Sequence, residues 1–238
     1  MVLGATSNSR TRESMKLKKY YSITALFAGV LLIAATNWEN AKADSKTTTA
    51  KPDTGSFSGD PNKPKRHFRA RNVAELSADE TRALYQQIRG RLAAGYATSG
   101  HAAAKAYQSW AKFNTSPYPS ATHGQRFVNN YANGIASSYG KHEEAGTLPA
   151  GSIVAKDSFV VATNGEVTVG PLFLMEKMQK GFNYVSGDWR YTMIMPDGSI
   201  FGVTKGANAD RVEFCIGCHL AREANDHLFY TPKAYRAN

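Results

Sequence analysis

The residues with the most definite chemistry are Cys215-Ile216-Gly217-Cys218-His219, a run that holds the only two cysteines of the 238-residue chain. Two thiols three apart, with a histidine directly after the second, form the minimal unit that attaches haem through two thioethers, and the histidine supplies the proximal iron ligand. A redox-active thiol pair would need a strand-then-helix context, which the flanking Val212-Glu213-Phe214 and Leu220-Ala221-Arg222 do not make. A structural zinc site would need a second pair of ligands at close spacing, and none is present. The expected cofactor is therefore one covalent haem c, held by Cys215 and Cys218, with His219 as the ligand to its iron.

The position of the run narrows the type. A small electron-transfer cytochrome carries it near the start of its domain with a Met ligand downstream, whereas here it falls near the end and no Met follows His219. Helical-bundle cytochromes c-prime carry it late, but they lack a strand-rich stretch like that between Gly151 and Val203. Other candidate ligands are weaker. Met175, Met178, Met193 and Met195 read as gap-filling core, His227 as a hydrogen-bonding histidine, and His67, His101, His123 and His142 show no metal-ligand spacing.

Elements that could position the run follow from periodicity. Ser77-Ala78-Asp79-Glu80 has capping-box spacing and starts a helix on which Leu84, Ile88 and Leu92 share a face. A second helix is expected over 101–113, before Pro117 and Pro119, and a third over 125–139, with Phe127, Tyr131 and Ile135 four apart and Gly140 as its stop. Beyond these, 151–162 and 166–175 read as strands around the turn Thr163-Asn164-Gly165, and 187–195 and 199–203 as strands around Pro196-Asp197-Gly198. The expected fold class is α+β, an antiparallel sheet with helices on the N-terminal side and a C-terminal haem-attachment segment.

The N-terminal region reads as a secretion signal: Lys16, Lys18 and Lys19, an apolar stretch from Ser22 to Thr36, and the small-x-small site Ala41-Lys42-Ala43. Residues 1–43 are expected to be a signal peptide, or alternatively an inner-membrane anchor. Either would place the body in the periplasm. Residues 44–72, rich in Thr, Ser, Gly, Pro and charge, are expected to be a disordered linker. The haem domain is expected over 73–238, with a helical extension before a core of about 102–235. Part of the net charge of +10 lies before residue 44, and the rest is scattered without a Lys/Arg run interleaved with aromatics, which argues against nucleic acid as a partner.

Three elements, in order and spacing, resemble the cytochrome P-460 family and its beta-type cytochrome c-prime relatives. They are Leu148-Pro149-Ala150-Gly151-Ser152-Ile153-Val154-Ala155-Lys156-Asp157-Ser158-Phe159, Gly187-Asp188-Trp189-Arg190-Tyr191, and the Cys215 to His219 run with Asp226-His227-Leu228-Phe229-Tyr230 behind it. The resemblance implies a five-coordinate haem, a homodimer, a periplasmic redox partner such as a soluble cytochrome, and reaction with hydroxylamine or nitric oxide. It also implies that Lys156 matches a lysine bonded to the porphyrin edge in hydroxylamine-oxidising members, although the residue alone reads equally as a surface lysine. Those members carry a distal carboxylate that relays protons, and a gapless match puts Phe173 in its place, with Glu176 three residues along on the opposite strand face. Removing protons as electrons leave hydroxylamine calls for such a base, so Phe173 leaves two readings open: a hydroxylamine oxidoreductase-like enzyme, or a non-catalytic nitric-oxide-binding or electron-transfer protein.

Overall fold

A computed structural model describes residues 63–237. The expected signal segment and most of the expected linker lie outside the described residues. Among the described residues no helix is long and apolar enough to cross a membrane.

Helix α1 (Ala78–Ala97) starts as its sequence dictates. The Ser77 hydroxyl accepts from Glu80 N–H, and the Glu80 carboxylate accepts from Ser77 N–H at 2.8 Å. The expected second helix is shorter than its periodicity suggested: α2 (Ala102–Ala106) ends in a single 3-10 turn, Tyr107–Ser109, and gives way to strand β1 (Ala111–Lys112). The expected third helix does not form. Residues 126–132 are strand β3 (Arg126–Ala132), followed by 3-10 turns over Gly134–Glu144. A spacing of four is also an even number, so Phe127 and Tyr131 share one face of a strand as readily as of a helix. The decision is tertiary: β4 (Ile153–Val161) offers in-register pairing from Phe127↔Phe159 to Ala132↔Val154. Ile135, expected in the helical core, is exposed instead.

The remaining strands are β2 (Tyr118–Ser120), β5 (Val167–Val169), β6 (Leu172–Lys177), β7 (Trp189–Ile194) and β8 (Ile200–Val203). All pair antiparallel in the order β1-β3-β4-β6-β7-β8, with β2 beside β3 and β5 beside β4. Both expected turns join strands as read. Helix α3 (Glu213–His219) carries the cysteines and is followed by 3-10 turns over Leu220–Asn225. The fold is therefore α+β.

Alternation along the strands gives the sheet two buried faces with different contents. One face, with Phe127, Tyr131, Ala155, Phe159, Leu172, Leu174 and Ile194, packs under Tyr85, Ile88, Leu92 and Tyr96 of α1. At its centre the wholly buried Asp157 accepts from Tyr85 Oη at 2.5 Å, Tyr107 Oη at 3.1 Å and Asn129 Nδ2 at 2.9 Å. Burial pushes its pKa up despite these bonds. The other face carries Val154, Lys156, Phe173, Met175, Tyr191 and Met193 and meets α3.

Candidate functional site

The second face is the floor of an open cleft whose empty space, open solvent included, is about 480 Å³. Strand register orders the floor into two rows. Val154, Met175 and Tyr191 are register neighbours, and so are Lys156, Phe173 and Met193. Two residues along each strand separate the rows, about 7 Å.

His219, at the end of α3, lies over the first row. Its ring centroid is 5.1 Å from that of Tyr191 and 5.1 Å from that of Phe229. Its Nδ1 lies 2.6 Å from the His227 carbonyl, so Nδ1 carries the proton and donates, and Nε2 keeps the lone pair. Burial, then the nearby Lys156, lowers its pKa to about 3. A neutral imidazole with one nitrogen pinned is ready to bind a metal through the other.

The loop that pins it is itself held by the motifs singled out in the sequence. Asp226 and His227 both adopt the left-handed conformation, at φ 53° and 61°. Asp226 accepts from Lys177 Nζ at 2.5 Å and Leu148 N–H at 2.9 Å, while its carbonyl accepts from Trp189 Nε1 at 2.8 Å. Gly187 is required here, since a Cβ on it would lie 2.5 Å from the His227 ring. Asp188 accepts from Gly181 and Asn183 N–H groups and closes the preceding loop. Thus Gly187-Asp188-Trp189 supports the loop carrying His227, and Tyr191 packs on His219.

Cys215 and Cys218 are both free thiols; Cys215 lines the cavity and Cys218 is exposed at the surface. Burial pushes the Cys215 thiol up to about 12, so it stays protonated. Lys156 is buried, 7% exposed, and its Nζ reaches the Phe229 carbonyl at 3.4 Å. Desolvation pulls its pKa down to about 8, partly opposed by Cys218. The reading of Lys156 as a plain surface lysine is thereby corrected: β4 is covered on both faces, so alternation cannot bring its side chain to solvent.

Phe173 lines the cavity, in the same row as Lys156. Glu176 lies on the other face, bound by Arg190 through two hydrogen bonds of 2.9 and 2.7 Å, with His101 Nε2 at 3.6 Å. Burial works to raise its pKa, but these partners hold it at about 2. Met175 and Met193 line the cavity, whereas Met195 packs beside the Phe173–Met193 cluster.

Two residues in the cavity carried no signal in the sequence. The His67 and His123 rings stack with centroids 5.1 Å apart, and each packs on Phe173, at 4.8 and 4.9 Å. Both pack against the second row through Phe173. Positions 67, 123 and 219 have no local spacing to betray them; tertiary contacts join them. Arg126 Nη1 donates to the carbonyls of Phe68 and His123, and Ala70 N–H donates to Gly124 O. Gly124 permits this approach at φ +75°, where a Cβ would lie 2.1 Å from Phe68 O. Residues 67–70, from the end of the expected linker, thus pack beside the sheet.

Among the described residues no three His, Cys, Asp or Glu side chains converge to hold a bare metal ion. A His219 imidazole with Nδ1 taken by a carbonyl and Nε2 left over, two thiols on one short helix and a largely apolar cleft fit instead a metal that arrives in its own macrocycle. The class defined is a haem-binding α+β domain. The family model described as cytochrome P460 matches residues 104–230, more than half of the chain, and the chain belongs to that family. It is a haem protein of that type. No curated protein matches the chain.

Proposed function

We propose that this protein is an exported, periplasmic c-type cytochrome of the P460 type, with Cys215 and Cys218 bonded to one haem and His219 Nε2 as its axial ligand. The observation that carries the reading is the His219 imidazole: neutral, pinned through Nδ1 by the His227 carbonyl, and set in an apolar cavity beside Cys215. The bound haem would supply an iron centre able to take a small nitrogen compound, hydroxylamine or nitric oxide, on the side away from His219.

The chain's own residues divide the remaining work. Asp226, Lys177 and Trp189 fix the loop that orients His219. Phe173, Met175 and Met193 exclude water from the cavity. Lys156, with its pKa pulled to about 8, is neutral in a minor fraction of molecules near neutral pH, about a tenth at pH 7, and a neutral amine is the nucleophile that a bond to the porphyrin edge requires. If hydroxylamine is oxidised, a periplasmic partner such as a soluble cytochrome accepts the electrons.

A haem stain after denaturing electrophoresis tests the attachment. Wild type should stain and the double variant Cys215→Ser, Cys218→Ser should lose covalent haem; retention in the double variant would refute the assignment. The two uses of the site part at Lys156. A strongly red-shifted ferrous Soret band that Lys156→Ala returns to an ordinary c-type position supports the oxidase. An unshifted band, with undetectable hydroxylamine turnover, supports a nitric-oxide-binding or electron-transfer protein of the beta-type cytochrome c-prime kind, to which the apolar Phe173 lends weight.

A further inference from the structure

The mouth of the cleft is bordered in part by a residue that comes from the chain ahead of α1. Of the residues lining the cleft, His67, Cys215 and Phe229 are half-buried and the others are buried, so these three border its opening. Cys215 is a point of haem attachment in the reading above, and Phe229 packs on His219 with ring centroids 5.1 Å apart. His67 has neither task. We propose that His67 is a specificity-determining residue: its ring narrows the way to the iron, admitting ligands the size of hydroxylamine or nitric oxide and excluding branched, bulkier ones. This rests on the haem-binding reading and adds to it the size class of ligand that the site takes.

His67 spans the gap between the two walls of the cleft. On the sheet side its ring meets Phe173 of β6 with centroids 4.8 Å apart, and the His123 ring stacks on it at 5.1 Å. On the helix side it meets Phe214, the residue directly before Cys215, edge-on at 4.6 Å. A ring packed against aromatic neighbours from both walls leaves no room for a bulky group to pass between the sheet and α3 at that point.

The segment that carries the ring is tied down. Phe68 O accepts from Arg126 Nη1 at 2.6 Å, Ala70 N–H donates to Gly124 O at 2.8 Å, and Pro64 is buried. The segment cannot lift from the sheet without losing both hydrogen bonds. Burial, then Arg126, His219 and Lys156, lowers the pKa of His67 to about 3, so the ring is neutral near pH 7. It fills the entrance as an uncharged aromatic and selects by bulk rather than by charge. It transfers no proton and makes no bond to the ligand.

Carbon monoxide and tert-butyl isocyanide test this, because both are uncharged and bind ferrous haem through carbon yet differ in bulk. With the full, haem-loaded ferrous protein, stopped-flow mixing should show His67→Ala raising the isocyanide on-rate about tenfold or more, with carbon monoxide changing by no more than about threefold. His67→Phe keeps an aromatic ring and should keep the wild-type ratio of the two rates. Gly124→Ala provides a further variant should His67→Ala fail to load haem. Its Cβ would lie 2.1 Å from Phe68 O, so it unseats the segment without altering a side chain that lines the cleft, and it should shift the ratio in the same direction. A ratio unchanged in both alanine variants, an equal rise for both ligands, or a His67→Phe protein that behaves like His67→Ala would each overturn the proposal. So would a six-coordinate low-spin ferrous spectrum that His67→Ala converts to high-spin, because the imidazole would then be an iron ligand. A wild-type protein without stainable haem would instead defeat the underlying assignment, and the proposal with it.

Discussion

Replacing Lys177 with Met tests whether the loop beside His219 is held by charge. In the native protein Lys177 Nζ donates to Asp226 at 2.5 Å and to Gly187 O at 2.8 Å, and it lies 4.9 Å from the centroid of the Trp189 ring. Both partners of the ion pair are buried, with side chains 9% and 5% exposed. Met keeps most of the apolar stem against Trp189 but strands the Asp226 carboxylate with Leu148 N–H as its remaining partner. Removing one member of a buried pair costs about 3–5 kcal/mol. Because Leu148 N–H stays, the lower end, about 3 kcal/mol, is expected. Asp226→Asn in the same background removes the stranded charge, keeps an acceptor for Leu148 N–H, and tolerates the left-handed backbone. The double variant should therefore recover about 2 kcal/mol relative to Lys177→Met alone. Urea unfolding followed by tryptophan fluorescence measures both, as a shift in midpoint at constant slope. A loss below about 1 kcal/mol for Lys177→Met, or a double variant no more stable than the single, would refute the reasoning.

Two further outcomes follow from the same geometry. Asp157 has its native pKa raised by burial, so the stability it contributes is full below the unfolded carboxylate's value near 3.9 and is lost as pH rises through the raised native value. Asp157→Asn should thus gain on wild type as pH rises from about 4 toward neutrality, and a difference in Tm that stays flat over that range would refute it. Gly124→Ala should cost about 2 kcal/mol or more, from the left-handed backbone and the 2.1 Å approach to Phe68 O. It should also free the segment around His67 to trypsin at Lys65 and Arg66, whereas an unchanged digestion pattern would show that the segment is held by other contacts.

Much of the site was legible because its chemistry is local. The cysteine pair with its histidine, the capping box of α1 and the turns between the late strands each depend on residues a few positions apart, and the capping box and the turns form as read. The motif Gly187-Asp188-Trp189-Arg190-Tyr191 was visible as a pattern, but its purpose needed the fold. Its glycine makes room for the His227 ring, its Trp supports Asp226, and its Tyr packs on His219.

The residues 125–139 mark where local reasoning ran out. Phe127 and Tyr131 satisfy both a helix and a strand, and only the partner strand β4, reached across the long turn region after Ala132, decides between them. The same holds for Lys156, whose sequence neighbourhood cannot reveal that α1 and α3 cover both faces of its strand. His67 and His123 are the extreme case, brought onto Phe173 by Arg126 and by a glycine that lets two backbones meet. The sequence by itself determined the spacing of two thiols and a histidine and the α+β class, because residue spacing and strand period are written along the chain. Only the tertiary structure decided which imidazoles share the cavity, because long-range packing, not spacing, brings them there.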